Sequence, residues 1–117
     1  IRDALTKAGY THLSMFPNGK ELWDHLQESK HHDTVDQDVA LIVTDIEMPQ
    51  MDGHRLTKLV KSDRALEHIP LIIFSSLISE EMRIKGEELG ANEQLTKPEI
   101  GRLVSVMDHL LQEKGRT

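Results

Sequence analysis

Three polar residues each close a stretch of this chain that reads as a strand. Asp45 follows Val39-Ala40-Leu41-Ile42-Val43-Thr44, Ser75 follows Leu71-Ile72-Ile73-Phe74, and Lys97 follows residues 93–96. A carboxylate, a hydroxyl and an ammonium group brought to one place suit phosphoryl transfer onto the carboxylate. The Asp45 oxygen would attack phosphorus and form an acyl phosphate. The phosphoryl oxygens carry spread negative charge and call for donors and cations. Lys97 offers a point charge and Ser75 a neutral donor. Mg²⁺, which takes oxygen ligands and keeps several waters, would bridge carboxylate and phosphate. Singly, each residue has an ordinary role: an Asp or Ser in a turn, a Lys in solvent. The inference rests on the three together.

The intervening sequence must bring them together. The apolar runs before Asp45 and Ser75 are short and rich in β-branched residues, as strands buried on both faces are. Helical segments separate them. Asn18-Gly19-Lys20-Glu21 opens one like a capping box, with Leu22, Trp23 and Leu26 as its stripe. Leu56, Leu59 and Val60 mark another, after a loop punctuated by Pro49 and Gly53. Ser79-Glu80-Glu81 opens a third, which ends near Gly90. Ile100, Leu103, Val104, Met107, Leu110 and Leu111 form the stripe of the last. Leu5 and Ala8 indicate a first helix stopping near Gly9. Residues 11–16 read as a short strand with Leu13 and Met15 on one face, and residues 29–38 as a polar loop. This alternation predicts βαβ units, a parallel sheet and helices on both faces. Ligands of such folds bind beyond the carboxyl ends of the strands, where Asp45, Ser75 and Lys97 would stand.

Composition narrows the function. The 117 residues fit one domain with a real core. A net charge of −6 with no basic stretch argues against nucleic-acid binding. With no cysteine there are no disulfides or thiolate metal sites. The apolar runs are too short to span a membrane and no signal peptide is visible, so cytoplasm is the expected compartment. The chain starts at Ile1, and reads as part of something longer. His31-His32 with Asp33, Asp36 and Asp38 has the composition of a solvated loop rather than a metal site. Glu47 is expected to point outward and Asp52 to cap the following turn or helix. No second carboxylate stands where general acid work would need it, so the chain is not expected to be an enzyme.

The segment Leu41-Ile42-Val43-Thr44-Asp45-Ile46-Glu47-Met48-Pro49-Gln50-Met51-Asp52-Gly53 resembles the phosphoacceptor segment of response-regulator receiver domains. Ile72-Ile73-Phe74-Ser75-Ser76 resembles their fourth strand and switch hydroxyl, and Leu95-Thr96-Lys97-Pro98 their lysine followed by proline. The resemblance covers essentially the whole chain, residues 1–117. It implies an α/β, flavodoxin-like (CheY-like) doubly wound parallel sheet of order 2-1-3-4-5. It implies phosphorylation of Asp45 by a histidine kinase, contacts from Ser75 and Lys97 to the phosphoryl group, and a cis Lys97-Pro98 bond. Asp45 and the backbone carbonyl of Glu47 would be Mg²⁺ ligands. Two departures bear on the expectation. By spacing, the family's first strand and its acidic pair would precede Ile1, so a truncated receiver with a gap in its sheet and weak Mg²⁺ binding is expected. Gln94 stands where many members carry a toggling aromatic. Leu77 and Glu47 would shape the access of hydrolytic water.

Ser75-Ser76-Leu77-Ile78-Ser79-Glu80-Glu81-Met82 and Leu95-Thr96-Lys97-Pro98-Glu99-Ile100 are similar to the receiver half of CheV-type chemotaxis coupling proteins. That resemblance implies a chemotaxis histidine kinase as partner and a CheW-like domain in the same full-length chain. The alternative is an unphosphorylated pseudo-receiver acting as a protein-interaction or dimerisation module.

Overall fold

A run of β-branched and aromatic residues without a charge is stable as a strand only where both faces of the sheet are covered. In the computed structural model, which describes residues 2–10, 12–48 and 50–115, such a run forms β2, Leu71–Ser75. All five of its residues are buried. It pairs in parallel with β1, Ile42–Thr44, on one side and with β3, Glu93–Thr96, on the other. Thr44 lies opposite Ile73, and Ser75 opposite Thr96. The helices are α1 (Arg2–Lys7), α2 (Gly19–His31), α3 (Val35–Asp38), α4 (Gly53–Lys61), α5 (Glu80–Leu89) and α6 (Ile100–Gly115). A single 3₁₀ turn, Lys97–Glu99, joins β3 to α6.

The two-residue period of β2 divides the core into layers. Leu71 and Ile73 join Leu26 of α2, Ile46, and Leu56 and Val60 of α4. Ile72 and Phe74 face the other way, toward Leu5 of α1, Leu95 of β3, and Leu103 and Met107 of α6. The centre of the last helix's stripe, Leu103 and Met107, is thus buried, with Ile100, Val104 and Leu110 partly buried beside it. Gly9 and Gly90, with φ of 102° and 98°, follow α1 and α5 where their stops are expected.

Three expectations are corrected. Residues 12–16 form no strand. The described sheet has the order β1-β2-β3, matching the last three places of 2-1-3-4-5. In that order a further strand lies between β1 and the segment 12–16, and none is found there among the described residues. Backbone groups without a ladder partner remain an extended loop. Residues 29–38 are not simply a loop, because α2 continues through His31 and α3 follows. This part is organised around a carboxylate rather than an apolar stripe. Ser29 Oγ and Thr34 Oγ1 donate to Asp38 Oδ2 at 2.7 and 2.6 Å, and Val35 alone in α3 is buried. Lastly, the Lys97–Pro98 peptide is trans, the lower-energy isomer of an X–Pro bond that tertiary contacts do not force over. The punctuation placed on Pro49 lies outside the described residues.

Candidate functional site

Parallel strands end at one rim. Asp45 comes directly after β1, Ser75 is the last residue of β2, and Lys97 comes directly after β3. The register therefore brings them together although the first and last are 52 positions apart in the chain. The Lys97 Nζ donates to Asp45 Oδ2 at 2.9 Å, and the Ile46 N–H donates to Oδ1 at 2.7 Å. Ser75 is buried against the same carboxylate, its hydroxyl hydrogen-bonding to Asp45. Burial pushes the Asp45 carboxyl up. The hydrogen bonds from Lys97, Ser75 and the Ile46 N–H, with the Lys97 charge, outweigh it and hold the group below the ordinary aspartate range. The result is an ionised carboxylate beside a cation and a hydroxyl, partly open to solvent.

Two local devices fix this rim. The Gly53 N–H donates to Ile46 O at 2.8 Å, drawing the start of α4 onto the chain beside Asp45. A Cβ at Gly53 would lie 1.9 Å from the Asp45 carbonyl oxygen, so no other residue fits this approach. Asp52 caps α4 as expected, accepting from the Arg55 N–H at 2.8 Å. On the other side, Glu99 holds the turn that carries Lys97. Its Oε1 accepts from the Thr96 N–H at 3.0 Å and from Thr96 Oγ1 at 2.7 Å, and its Oε2 from Arg102 Nη1 at 3.0 Å. Glu99 is a positioning residue that the sequence reading passed over. Its signal was present in Thr96-Lys97-Pro98-Glu99, which has the T-x-x-E spacing of a capping box.

A family model described as the response regulator receiver domain matches residues 1–108. The chain belongs to this family. It is 40% identical over 85 residues to chemotaxis protein CheV2 of Helicobacter pylori, covering 73% of this chain and 26% of that protein. It is 30% identical over 98 residues to a chemotaxis protein CheY homolog of Campylobacter jejuni, covering 84% of this chain and 70% of that one. The signal receiver domain of a signal transduction histidine kinase from Syntrophus aciditrophicus has a like structure. Its TM-score is 0.82 at 29% identity, over 99% of this chain and 82% of that one. The chain thus spans about a quarter of the length of CheV2. The fold is the flavodoxin-like α/β fold of receiver domains.

Receiver domains generally bind Mg²⁺ at their acidic site. In this receiver the Asp45 carboxylate stands at the rim, and the backbone of Glu47 follows two residues on. Glu47 is exposed and, with Ile46, Met48 and Asp52, lines an open depression at the rim. Carboxylate and carbonyl oxygens suit Mg²⁺, which needs only one or two carboxylates when waters and phosphate complete its octahedron. Among the described residues no group of three acidic or histidine side chains could hold a metal. The donors present fit the ion in kind and fill only part of its shell. The histidines and aspartates of 31–38 do not make a second centre: Asp36 pairs with His68 at 2.6 Å, and Asp38 takes Ser29 and Thr34. No helix among the described residues is long and apolar enough to cross a membrane.

Proposed function

We propose that this receiver takes a phosphoryl group on Asp45 from a histidine kinase and acts as a phosphorylation-controlled interaction module in bacterial chemotaxis. The observation that carries this reading is the 2.9 Å ion pair from Lys97 to Asp45, formed across the carboxyl ends of two strands. In the transfer, an Asp45 oxygen forms a bond to phosphorus as the bond to the kinase's histidine nitrogen breaks. The electron pair leaves with the imidazole, and an acyl phosphate remains. Lys97 shifts its ammonium from the carboxylate to the phosphoryl oxygens, and the Ser75 hydroxyl donates to another. Asp45 and the Glu47 carbonyl would be this chain's ligands for Mg²⁺, which would supply charge neutralisation. The acyl phosphate carries about −1.5 to −2 charges at neutral pH in place of the single charge of the carboxylate, and spreads them over three further oxygens, enough to reorganise its surroundings. The step is stoichiometric, so the domain is not in itself an enzyme.

The similarity to chemotaxis protein CheV2 supports a chemotaxis kinase as donor; a CheW-like domain in the same full-length chain and a cytoplasmic setting complete the proposal. A pseudo-receiver that is never phosphorylated is the second reading. It is favoured by the incomplete metal shell among the described residues. Labelling with a small phosphodonor or a phosphorylated kinase decides between them. Hydroxylamine-sensitive label should appear on the full-length chain and vanish in Asp45→Asn. Label that persists in Asp45→Asn refutes the assignment; no label in either supports the pseudo-receiver.

A further inference from the structure

Gln94 is nearly fully buried, at 5% exposure, in the middle of β3. A buried primary amide needs partners for two donors and an acceptor, and an apolar residue would avoid that cost. Its Nε2 donates to the carbonyl oxygen of Arg83 in α5 at 2.8 Å. That bond depends on a second feature of α5. A Cβ on Gly86 would stand 2.4 Å from Gln94 Oε1 and 2.7 Å from its Cδ, so the amide lies in the notch that the glycine leaves. Glycine is disfavoured inside a helix. Here the close approach of Gln94 accounts for it.

Gly86 is also the one buried residue of α5, whereas five residues of α4 are buried. α5 packs chiefly on α4, with Met82 against the core, and the Gln94 bond is what ties it to β3. The bond reaches from α5 to the strand that carries Lys97 three residues further on. The other end of α5 begins five residues after Ser75. In the register of β2 and β3, Gln94 lies opposite Ile73, one same-face position from the Ser75–Thr96 pair. Gln94 Oε1 has no hydrogen-bond partner among the described residues. The amide is therefore held by its donor side alone.

We propose that Gln94 and Gly86 form a latch that ties α5 to β3, so that displacement at Lys97 passes to α5 through this bond rather than through rotation of an exposed side chain. The latch stands on its own geometry, and its use in signalling rests on the phosphoacceptor reading above. The experiment separates the two. Hydrogen exchange is measured on the full-length protein, with and without a small phosphodonor. Without donor, Gln94→Met fills the same space but lacks the amide. It should speed exchange of α5 amides about three- to tenfold, the effect of losing one hydrogen bond, with α4 unchanged. Unchanged α5 exchange, or an equal rise in every helix, overturns the latch.

Gly86→Ala should loosen α5 in the native background but not in Gln94→Ala, where the obstruction is gone. An equal effect in both backgrounds also overturns it. With donor, the native protein should change its α5 exchange, and Gln94→Met should lose that change while Asp45 labels to within about twofold of native. A full response in labelled Gln94→Met removes the signalling role. Absence of label on the native protein removes the phosphoacceptor reading and leaves the latch to the exchange data.

Discussion

Asp45 is subject to opposed influences, and their balance can be tested with one substitution. Burial favours its neutral form, while Lys97, Ser75 and the Ile46 N–H favour the carboxylate and prevail. Lys97→Met removes the strongest of the favourable partners and leaves the burial. The Asp45 carboxyl should then rise from below the ordinary value of about 3.9 to that value or above it, as followed by carboxyl carbon NMR. The sign for stability follows. A folded-state pKa held down stabilises the fold above the unfolded-state pKa, and that contribution is lost as pH falls through the folded value. The size is small. The Lys97 side chain is 52% exposed and that of Asp45 28%, so the pair is screened by solvent. Lys97→Met should therefore change unfolding free energy by no more than about 1 kcal/mol in urea titrations at neutral pH. Its labelling by a phosphodonor should nonetheless fall sharply, because the charge on the phosphoryl oxygens is then unmatched. A variant that is much less stable, or that labels normally, would show Lys97 to be a structural rather than a chemical residue.

The elements that hold these side chains differ in how visibly they are encoded. Helix starts are local, and three were legible: Asn18, Asp52 and Ser79 each accept from a backbone N–H three residues on. Asp52→Ala should cost about 1 kcal/mol in chemical denaturation, the usual effect of losing an N-cap. Glu99 acts on a turn rather than on a long helix. Glu99→Ala frees the Thr96 N–H and hydroxyl, so it should slow labelling of Asp45 by misplacing Lys97, and Glu99→Gln should recover much of the loss by keeping one acceptor. Equal rates in the native protein and Glu99→Ala would leave Glu99 no part in the site. The long apolar runs of β1 and β2 and the stripe of α6 were also legible, because burial dictates their period. What escaped was non-local. Residues 12–16 have the alternation of a strand but no neighbour to pair with, and a ladder is a property of two segments. The helix α3 has one buried residue and is held by hydroxyls around Asp38, which no hydrophobic period reports. Gln94 was legible as a departure, but its partner on α5 could be found only once β3 and α5 were packed together.

Across the whole molecule four carboxylates share one direction and one kind of place. Asp38 is held low by Thr34 and Ser29, Asp63 by Lys30, and Glu99, at about 2, by the Thr96 N–H and hydroxyl and by Arg102. Asp45 shares the direction. These groups sit at joints between elements rather than in the core. Asp63, just past α4, meets Lys30 of α2 at 2.6 Å; Asp38 joins α3 to α2; Asp45 and Glu99 join β1, β3 and α6. All four bind protons more weakly in the folded chain than in the unfolded one, so the unfolded chain takes up more protons as the solution is acidified. These four groups leave stability unchanged above pH of about 5 and make it fall steadily from there toward pH of about 2, below which Glu99 too is protonated. Calorimetric melting temperatures across that range measure the fall. Asp63→Asn should make the curve shallower, since the amide keeps the shape and gives up the titration. It should also lower the melting temperature at neutral pH slightly, because the Lys30 contact is then uncharged on one side. Raising salt should leave most of the fall in place, as short hydrogen bonds, unlike long-range attraction between exposed charges, are weakly screened. A fall that disappears in high salt would instead assign the acid sensitivity to the general charge of the surface, and the joints would carry none of it.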